Sequence, residues 1–135
     1  MPKRFKSEQN KGKFLTKETS EKSPDQLPPI FSLQYLSPQY CVSCCQQQEK
    51  AHFADTLRKL SQLTWAELRQ ANRHKLGCEK ISRSSIRVGI PVHIKEDVNF
   101  IAFRFDGQKA MIGYKAAHVF YIIWLDRDFS VYNHS

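Results

Sequence analysis

The chain has 135 residues and carries 21 Lys and Arg against 13 Asp and Glu, a formal charge of +8. A chain of this length predicts one small domain, and the basic excess favours an anionic partner such as a nucleic acid. No apolar run approaches the roughly 18 residues of a membrane-spanning helix, and the N-terminus lacks the apolar core of a secretory signal. We therefore expect a soluble, cytoplasmic protein with no membrane partner.

The first thirty residues predict a tail with no fold of its own. They contain seven basic and four acidic side chains and few large apolar groups, so they cannot offset the entropy lost on ordering. The tail ends at Leu27-Pro28-Pro29, where two prolines remove backbone hydrogen-bond donors and favour an extended backbone. The sequence thus predicts a basic tail, disordered or partner-binding, at residues 1–30 and one folded domain at residues 31–135.

The four cysteines admit two interpretations. Cys41, Cys44 and Cys45 form a C-x-x-C-C cluster, and Cys78 follows His74 in an H-x-x-x-C pair, which together supply enough ligands for a zinc site. However, three glutamines follow the cluster, where a zinc knuckle usually has Gly or Pro. Because no export signal precedes them, free thiols are the default, and we predict neither a bound metal nor a cofactor.

Two helices are predicted next. Between residues 46 and 63 the apolar side chains recur at steps of three and four, which gives an otherwise charged helix one apolar stripe. Thr64 and Glu67 then match a capping box that begins a second helix. This second helix is predicted to run to a basic end just before Gly77, which can adopt the left-handed cap.

A sheet is predicted to follow the helices. Branched residues over 81–92, with a proline among them, indicate an edge strand or an irregular crossing. Residues 98–105, 110–114 and 118–125 predict an antiparallel meander, whose last strand is almost entirely apolar and should be central. A short strand at 130–132 would end the sheet. The predicted fold class is α+β, an N-terminal helical hairpin packed on an antiparallel β-meander.

From about residue 50 onward this order resembles the RelE/ParE-like toxins of bacterial toxin–antitoxin systems. The most specific matches are Phe103-Arg104-Phe105, Met111-Ile112-Gly113-Tyr114, Val119-Phe120-Tyr121-Ile122-Ile123-Trp124 and Asp126-Arg127-Asp128-Phe129-Ser130-Val131-Tyr132. The resemblance implies a RelE/ParE-like fold and a toxin that is either a ribosome-dependent, metal-independent endoribonuclease of messenger RNA or a poison of gyrase. It further implies RNA or the ribosome as partner, together with an antitoxin protein.

RNA cleavage without a metal requires a group that accepts the 2′-hydroxyl proton, cations at the phosphate and a group that protonates the leaving oxygen. By position, Arg104 and Arg127 are the predicted phosphate clamps, and Tyr132 or His134 transfers the proton. Arg127 stands where the family often has a histidine, and arginine is a poor base, so a neighbour such as Tyr132, His134 or Lys115 is a candidate substitute. The candidate catalytic residues are Arg104, Lys115, Arg127, Tyr132 and His134. The candidate nucleic-acid-binding residues are Arg69, Arg73, Lys75 and Lys109.

Two alternatives to an enzyme stay open. A basic sheet that carries Phe103, Phe105, Tyr114 and Tyr121 can stack single-stranded bases without cleaving them. A protein that inhibits a host enzyme such as gyrase would use its charge to steer association. The sequence contains no Gly-rich phosphate loop, paired-carboxylate motif, Ser-His-Asp order or H-E-x-x-H motif, so it does not support hydrolases of those kinds.

Overall fold

The structure, a computed structural model, describes residues 22–71 and 77–133. These residues form an α+β fold with one five-stranded mixed sheet. In chain order the elements are β1 (Ile30–Ser32), α1 (Gln47–Leu60), α2 (Trp65–Gln70), β2 (Glu79–Ile81), β3 (Phe100–Asp106), β4 (Lys109–Ala116) and β5 (Val119–Asp126). Of the predicted tail, residues 1–21 lie outside the described residues.

The antiparallel meander of β3, β4 and β5 is confirmed, and the sheet order is β1-β5-β4-β3-β2. The apolar strand β5 is internal, as predicted, because β4 and β1 flank it. The expectation of a purely antiparallel sheet is wrong, since β1 pairs with β5 in parallel and Ile30 lies opposite Val119. A three-residue strand beside two prolines is too short to show an alternating pattern, and its hydrogen-bond partner is distant in sequence.

The two helices begin close to where the sequence predicts. The Thr64 hydroxyl accepts a hydrogen bond from the Glu67 amide at 3.2 Å, and the Glu67 carboxylate accepts one from the Thr64 amide at 3.0 Å, which confirms the capping box. The prediction that α2 continues to a basic end before Gly77 is wrong about its length. The helix stops at Gln70, because Ala71 has extended backbone dihedrals.

The sheet separates two apolar cores. On one face, Phe53 and Trp65 from the helices pack against strand residues, with Phe53 and Phe105 in edge contact at 5.9 Å between ring centroids. On the other face, the irregular segment after β2 and the C-terminal residues cover Phe100 and Trp124. Arg83 holds this segment, because its guanidinium donates to the carbonyl oxygens of residues 94 and 95. Each face of the sheet therefore buries its apolar side chains against another part of the chain.

The predicted strand at 130–132 is not formed, and only an isolated bridge joins Tyr132 to Ile86. The reason lies in Asp126, whose buried carboxylate accepts hydrogen bonds from the amides of Ser130 at 2.9 Å and Val131 at 3.2 Å. These amides bond to a side chain, so they are not available for a ladder. The C-terminal segment thus forms a turn that covers the second core.

Gly113 marks an irregularity in the centre of the sheet. The register between β4 and β5 shifts between Ile112 and Gly113. A side chain at Gly113 would meet the backbone of β5, because a Cβ built there would lie within 2.8 Å of the Tyr121 carbonyl carbon and closer still to its oxygen. A glycine is needed here because the two backbones approach closely.

Candidate nucleic-acid interface

A cavity lies where α2 approaches the ends of β2, β3 and β4. It has a volume of about 530 Å³, and Trp65 and Ile101 are among the apolar residues that line it. The lining contains three basic residues and one acidic residue. The basic residues are Arg69, Lys80 and Lys115, and the acidic residue is Asp97. We call this cavity the Trp65 cleft. It brings together Arg69 and Lys115, two residues for which the sequence predicts different roles.

Two of these cations converge on the carboxylate of Asp25, which lies beside the cleft. Arg69 Nη2 donates to Asp25 Oδ2 at 2.7 Å, and Lys115 Nζ lies 3.4 Å from Asp25 Oδ1. The hydrogen bond from Arg69 is the main cause that lowers the pKa of Asp25. The Asp25 side chain is 39% exposed, and ion pairs at such positions contribute little to stability. Arg69 and Lys115 thus already bind one anion, and its carboxylate is partly open to solvent.

Trp65 fixes the position of Lys115. The indole Nε1 donates to the carbonyl oxygen of His118 at 2.9 Å, which holds the ring against the turn between β4 and β5. Lys115 Nζ lies 5.4 Å from the centre of the Trp65 ring, a cation–π arrangement. The Lys115 ammonium group is therefore held at the cleft by the Trp65 ring.

A second group of side chains lies on the opposite face of the sheet, near the same end of β4. Tyr114 and Tyr121 stack with ring centroids 5.1 Å apart, Tyr35 lies 5.6 Å from Tyr121, and the His93 ring is 4.1 Å from Tyr35. We call these four residues the aromatic group. His93 Nε2 is 3.2 Å from the Tyr114 hydroxyl, within hydrogen-bond distance. Burial is the main cause that raises the pKa of Tyr114, so this hydroxyl keeps its proton at neutral pH.

Two other candidate residues, Lys109 and Arg127, meet at Glu49 in the first turn of α1. Lys109 Nζ lies 2.7 Å from Glu49 Oε2, and Arg127 Nε lies 2.8 Å from Glu49 Oε1. Burial alone would raise the pKa of Glu49, but the hydrogen bonds from Lys109, the Gln46 amide and Arg127 outweigh it and lower the pKa to about 2. We call Glu49, Lys109 and Arg127 the Glu49 triad. The Glu49 side chain is only 4% exposed, so this anion is much less open to solvent than Asp25.

The candidate residues therefore separate along the sheet. Lys109 begins β4 and Lys115 lies six positions further along it, a separation of about 20 Å at the usual rise of a strand. Arg127 belongs with Lys109, and Arg69 belongs with Lys115. No single phosphate can contact both groups.

The remaining candidates lie elsewhere. Arg104 is half-buried on β3, opposite Ala110 and on the face away from Phe103 and Phe105. Tyr132 is 8% exposed and belongs to the second core. Arg73, Lys75 and His134 lie outside the described residues.

Sequence reasoning did not single out Glu49, Asp25, Lys80 or His93. One feature of the sequence could have pointed to Glu49. It lies three residues after Gln46, which is the spacing of a capping box. In the structure the Gln46 amide is 2.6 Å from Glu49 Oε1. Asp25 lies in the segment predicted to be a tail. The contact of His93 with Tyr114 depends on the path of an irregular segment, which no local pattern predicts.

The base-stacking surface suggested by the sequence is divided between the two faces. Phe103 and Phe105 are 1% and 5% exposed and lie in the core under the helices, so neither ring can stack on a base. Tyr114 and Tyr121 lie on the other face within the aromatic group, where Tyr35 and His93 are exposed. Any aromatic contact with a base from this sheet would use that group.

Within residues 22–71 and 77–133, no three His, Cys, Asp or Glu side chains are arranged to hold a metal ion. In the same ranges no helix has both the length and the apolar character needed to cross a membrane. Comparison with protein-family models, with curated proteins and with solved structures finds no match for this chain.

Proposed function

We propose that the protein binds single-stranded RNA in the Trp65 cleft and acts as a growth-inhibiting toxin of the RelE/ParE-like kind. The observation that carries the proposal is the convergence of Arg69 and Lys115 on the partly exposed carboxylate of Asp25. A phosphate oxygen that replaces this carboxylate finds the same two cations, with Lys80 on the lining nearby.

The size and charge of the cleft support an RNA ligand. A volume of about 530 Å³ is in the range of sites that enclose a small molecule such as a nucleotide. The chain carries a formal charge of +8, which favours encounter with a polyanion. The aromatic group lies at the same end of β4 on the opposite face, so a strand that passes around this end of the sheet can stack neighbouring bases on its rings.

The element order supports the toxin part of the proposal. A short strand, two helices, the short strand β2 and an antiparallel meander follow one another along the chain. In this proposal α1 and α2 form a hairpin packed on the meander, which is the RelE/ParE-like arrangement. The ribosome as the place of action and an antitoxin as a binding partner belong to the same proposal.

RNA binding is tested with a fluorescent single-stranded RNA of mixed sequence, by anisotropy at several salt concentrations. We expect Lys80→Gln/Lys115→Gln to bind roughly tenfold more weakly and to lower the slope of log K against log salt by about 0.7 for each phosphate that the variant no longer neutralises. Asp25→Asn is expected to bind more tightly than the wild type, because the competing carboxylate is gone. The matched control is Lys50→Gln, an exposed position in the first turn of α1, beside Glu49.

Two results would contradict RNA binding in the cleft. One is a loss in log K for Lys50→Gln that reaches half the loss for the double variant, which would mean that only total charge matters. The other is an Asp25→Asn protein that folds normally but binds RNA no better than the wild type. A duplex DNA that competes fully with the RNA would shift the proposal to general nucleic-acid binding.

RNA cleavage is a second candidate function, and the pairing of His93 with Tyr114 favours it. The exposed imidazole of His93 can accept a proton, and the protonated Tyr114 hydroxyl beside it supplies an acid or orients the ring. Because Glu49 holds Arg127, phosphate stabilisation in this proposal falls to Arg104, which lies on the same face of the sheet as Tyr114. Arg104 and Tyr132 keep the roles that the resemblance implies, as part of the proposal.

Induced expression in bacteria tests both functions together. We expect the intact chain to arrest growth and to create new messenger ends in primer extension, and we expect His93→Gln to lose the ends while purified protein still binds RNA. Growth arrest with no new ends would favour an inhibitor of gyrase or of another protein. Normal growth with soluble wild-type protein would contradict the toxin proposal and leave RNA binding to be judged on its own.

A further inference from the structure

The three clustered cysteines precede α1 and have no part in the proposed RNA site. All four cysteines of the chain are free thiols. Cys44 is exposed, Cys41 is half-buried, and Cys45 is buried beneath them. Two cysteines separated by two residues, one exposed and one half-buried, thus lie on one short turn.

The backbone brings Cys41 and Cys44 close together. The amide of Cys44 donates to the carbonyl oxygen of Cys41 at 3.0 Å, which closes a four-residue turn around Val42 and Ser43. The ends of such a turn have Cα atoms less than about 7 Å apart, and disulfides span Cα separations of about 4.4 to 6.8 Å. The turn therefore brings the two Cα atoms close to the range of separations that a disulfide spans.

We propose that Cys41 and Cys44 are an oxidisable dithiol that forms an intramolecular disulfide with a low-molecular-weight disulfide as oxidant. The Cys41 thiolate attacks one sulfur of the oxidant, so a mixed disulfide forms and one small thiolate leaves. The Cys44 thiolate then attacks the Cys41 sulfur, the new bond joins the two cysteines, and the second small thiolate leaves. Two electrons pass to the oxidant, and the two cysteine protons end on the two small thiols.

The surroundings of each thiol assign the order of these steps. The amide and hydroxyl of Ser43, followed by the amide of Val42, are the groups that lower the pKa of Cys41, whereas burial raises the pKa of Cys45 and of Cys78. The lowered pKa favours Cys41 as the attacking thiol, since thiolates are the nucleophiles in exchange. Cys44 Sγ donates weak hydrogen bonds to the carbonyl oxygens of Pro38 at 3.5 Å and Gln39 at 3.7 Å. These hydrogen bonds break when Cys44 turns to resolve the mixed disulfide.

The test uses the full chain equilibrated in oxidised and reduced glutathione, with free thiols trapped by alkylation and counted by intact mass. We expect loss of two thiols per chain in the wild type, in Cys78→Ser and in Cys45→Ala. Cys44→Ser should accumulate a glutathione adduct at Cys41, and Cys41→Ser should form no internal bridge. Circular dichroism checks that each variant is folded.

Persistence of four free thiols at the most oxidising ratio would overturn the proposal. So would a bridge that disappears in Cys45→Ala or Cys78→Ser while those proteins remain folded, because the pair would then be a different one. A disulfide-linked dimer in place of the internal bridge would also overturn it, and non-reducing electrophoresis detects that product. None of these measurements involves RNA, so the outcome is independent of the proposed RNA site.

Discussion

Replacement of Gly113 by alanine is expected to prevent stable folding at room temperature. The added Cβ would collide with the Tyr121 carbonyl group and lie 3.0 Å from the Ile122 Cα, and both belong to the backbone of an internal strand. Neither strand can move aside, because β5 is paired on both sides and β4 is paired with β3. Backbone collisions in a packed core are among the few causes of losses above about 4 kcal/mol.

Thermal unfolding followed by circular dichroism measures this effect. Gly89→Ala is the matched control, because a Cβ at Gly89 meets nothing within 4 Å. We expect the control to melt within a few degrees of the wild type and Gly113→Ala to lack a cooperative transition. A Gly113→Ala protein that melts near the wild type would mean that the β4–β5 bulge is not formed as described.

Neutralisation of Glu49 is expected to produce the second largest loss of stability. In Glu49→Gln, Lys109 and Arg127 lose the carboxylate that joins the first turn of α1 to β4 and to the residue after β5. Removal of the buried member of a charge group costs about 2 to 3 kcal/mol, moderated here because the two cations are each 31% exposed. Urea denaturation at neutral pH measures the change, with the exposed Glu96→Gln as control.

The same carboxylate predicts how stability depends on acid. The folded protein lowers the pKa of Glu49 from 4.5 to about 2, so the unfolded chain binds more protons than the folded one between these values. The stabilisation, about 3 kcal/mol for a shift of this size, is complete above about pH 5 and is lost as the pH falls towards 2. Over this range we expect the wild-type stability to fall more steeply than that of Glu49→Gln. Equal pH dependence of the two proteins would contradict the role assigned to the triad.

The sequence predicted best those elements whose cause is local. The meander follows from alternating and apolar runs, and α2 begins where Thr64 and Glu67 form their capping box. The sequence predicted poorly the elements that depend on residues far away along the chain. β1 forms because it pairs with the edge of β5. The strand expected at 130–132 does not form, because the Asp126 carboxylate accepts hydrogen bonds from amides that such a strand would need.

In the candidate site, too, local features were predictable from the sequence and long-range contacts were not. Residue type and position along the meander were enough to select Lys115, Arg127 and Lys109 as cations of interest. Their carboxylate partners were not predictable, because Glu49 is 60 residues from Lys109 in sequence and reaches it through the packing of α1. Only the folded structure shows which cations pair with a buried anion and which pair with a partly exposed one.

The parallel pairing of β1 with β5 has a consequence for the order of folding. The meander joins neighbours through two-residue turns, whereas Ile30 and Val119 are about 90 residues apart when they pair. Closing so long a loop costs entropy that a strand of three residues does not recover alone. We therefore expect the meander and the helices to form the nucleus and β1 to dock last, so that the amides of β1 exchange with solvent faster than those of β4.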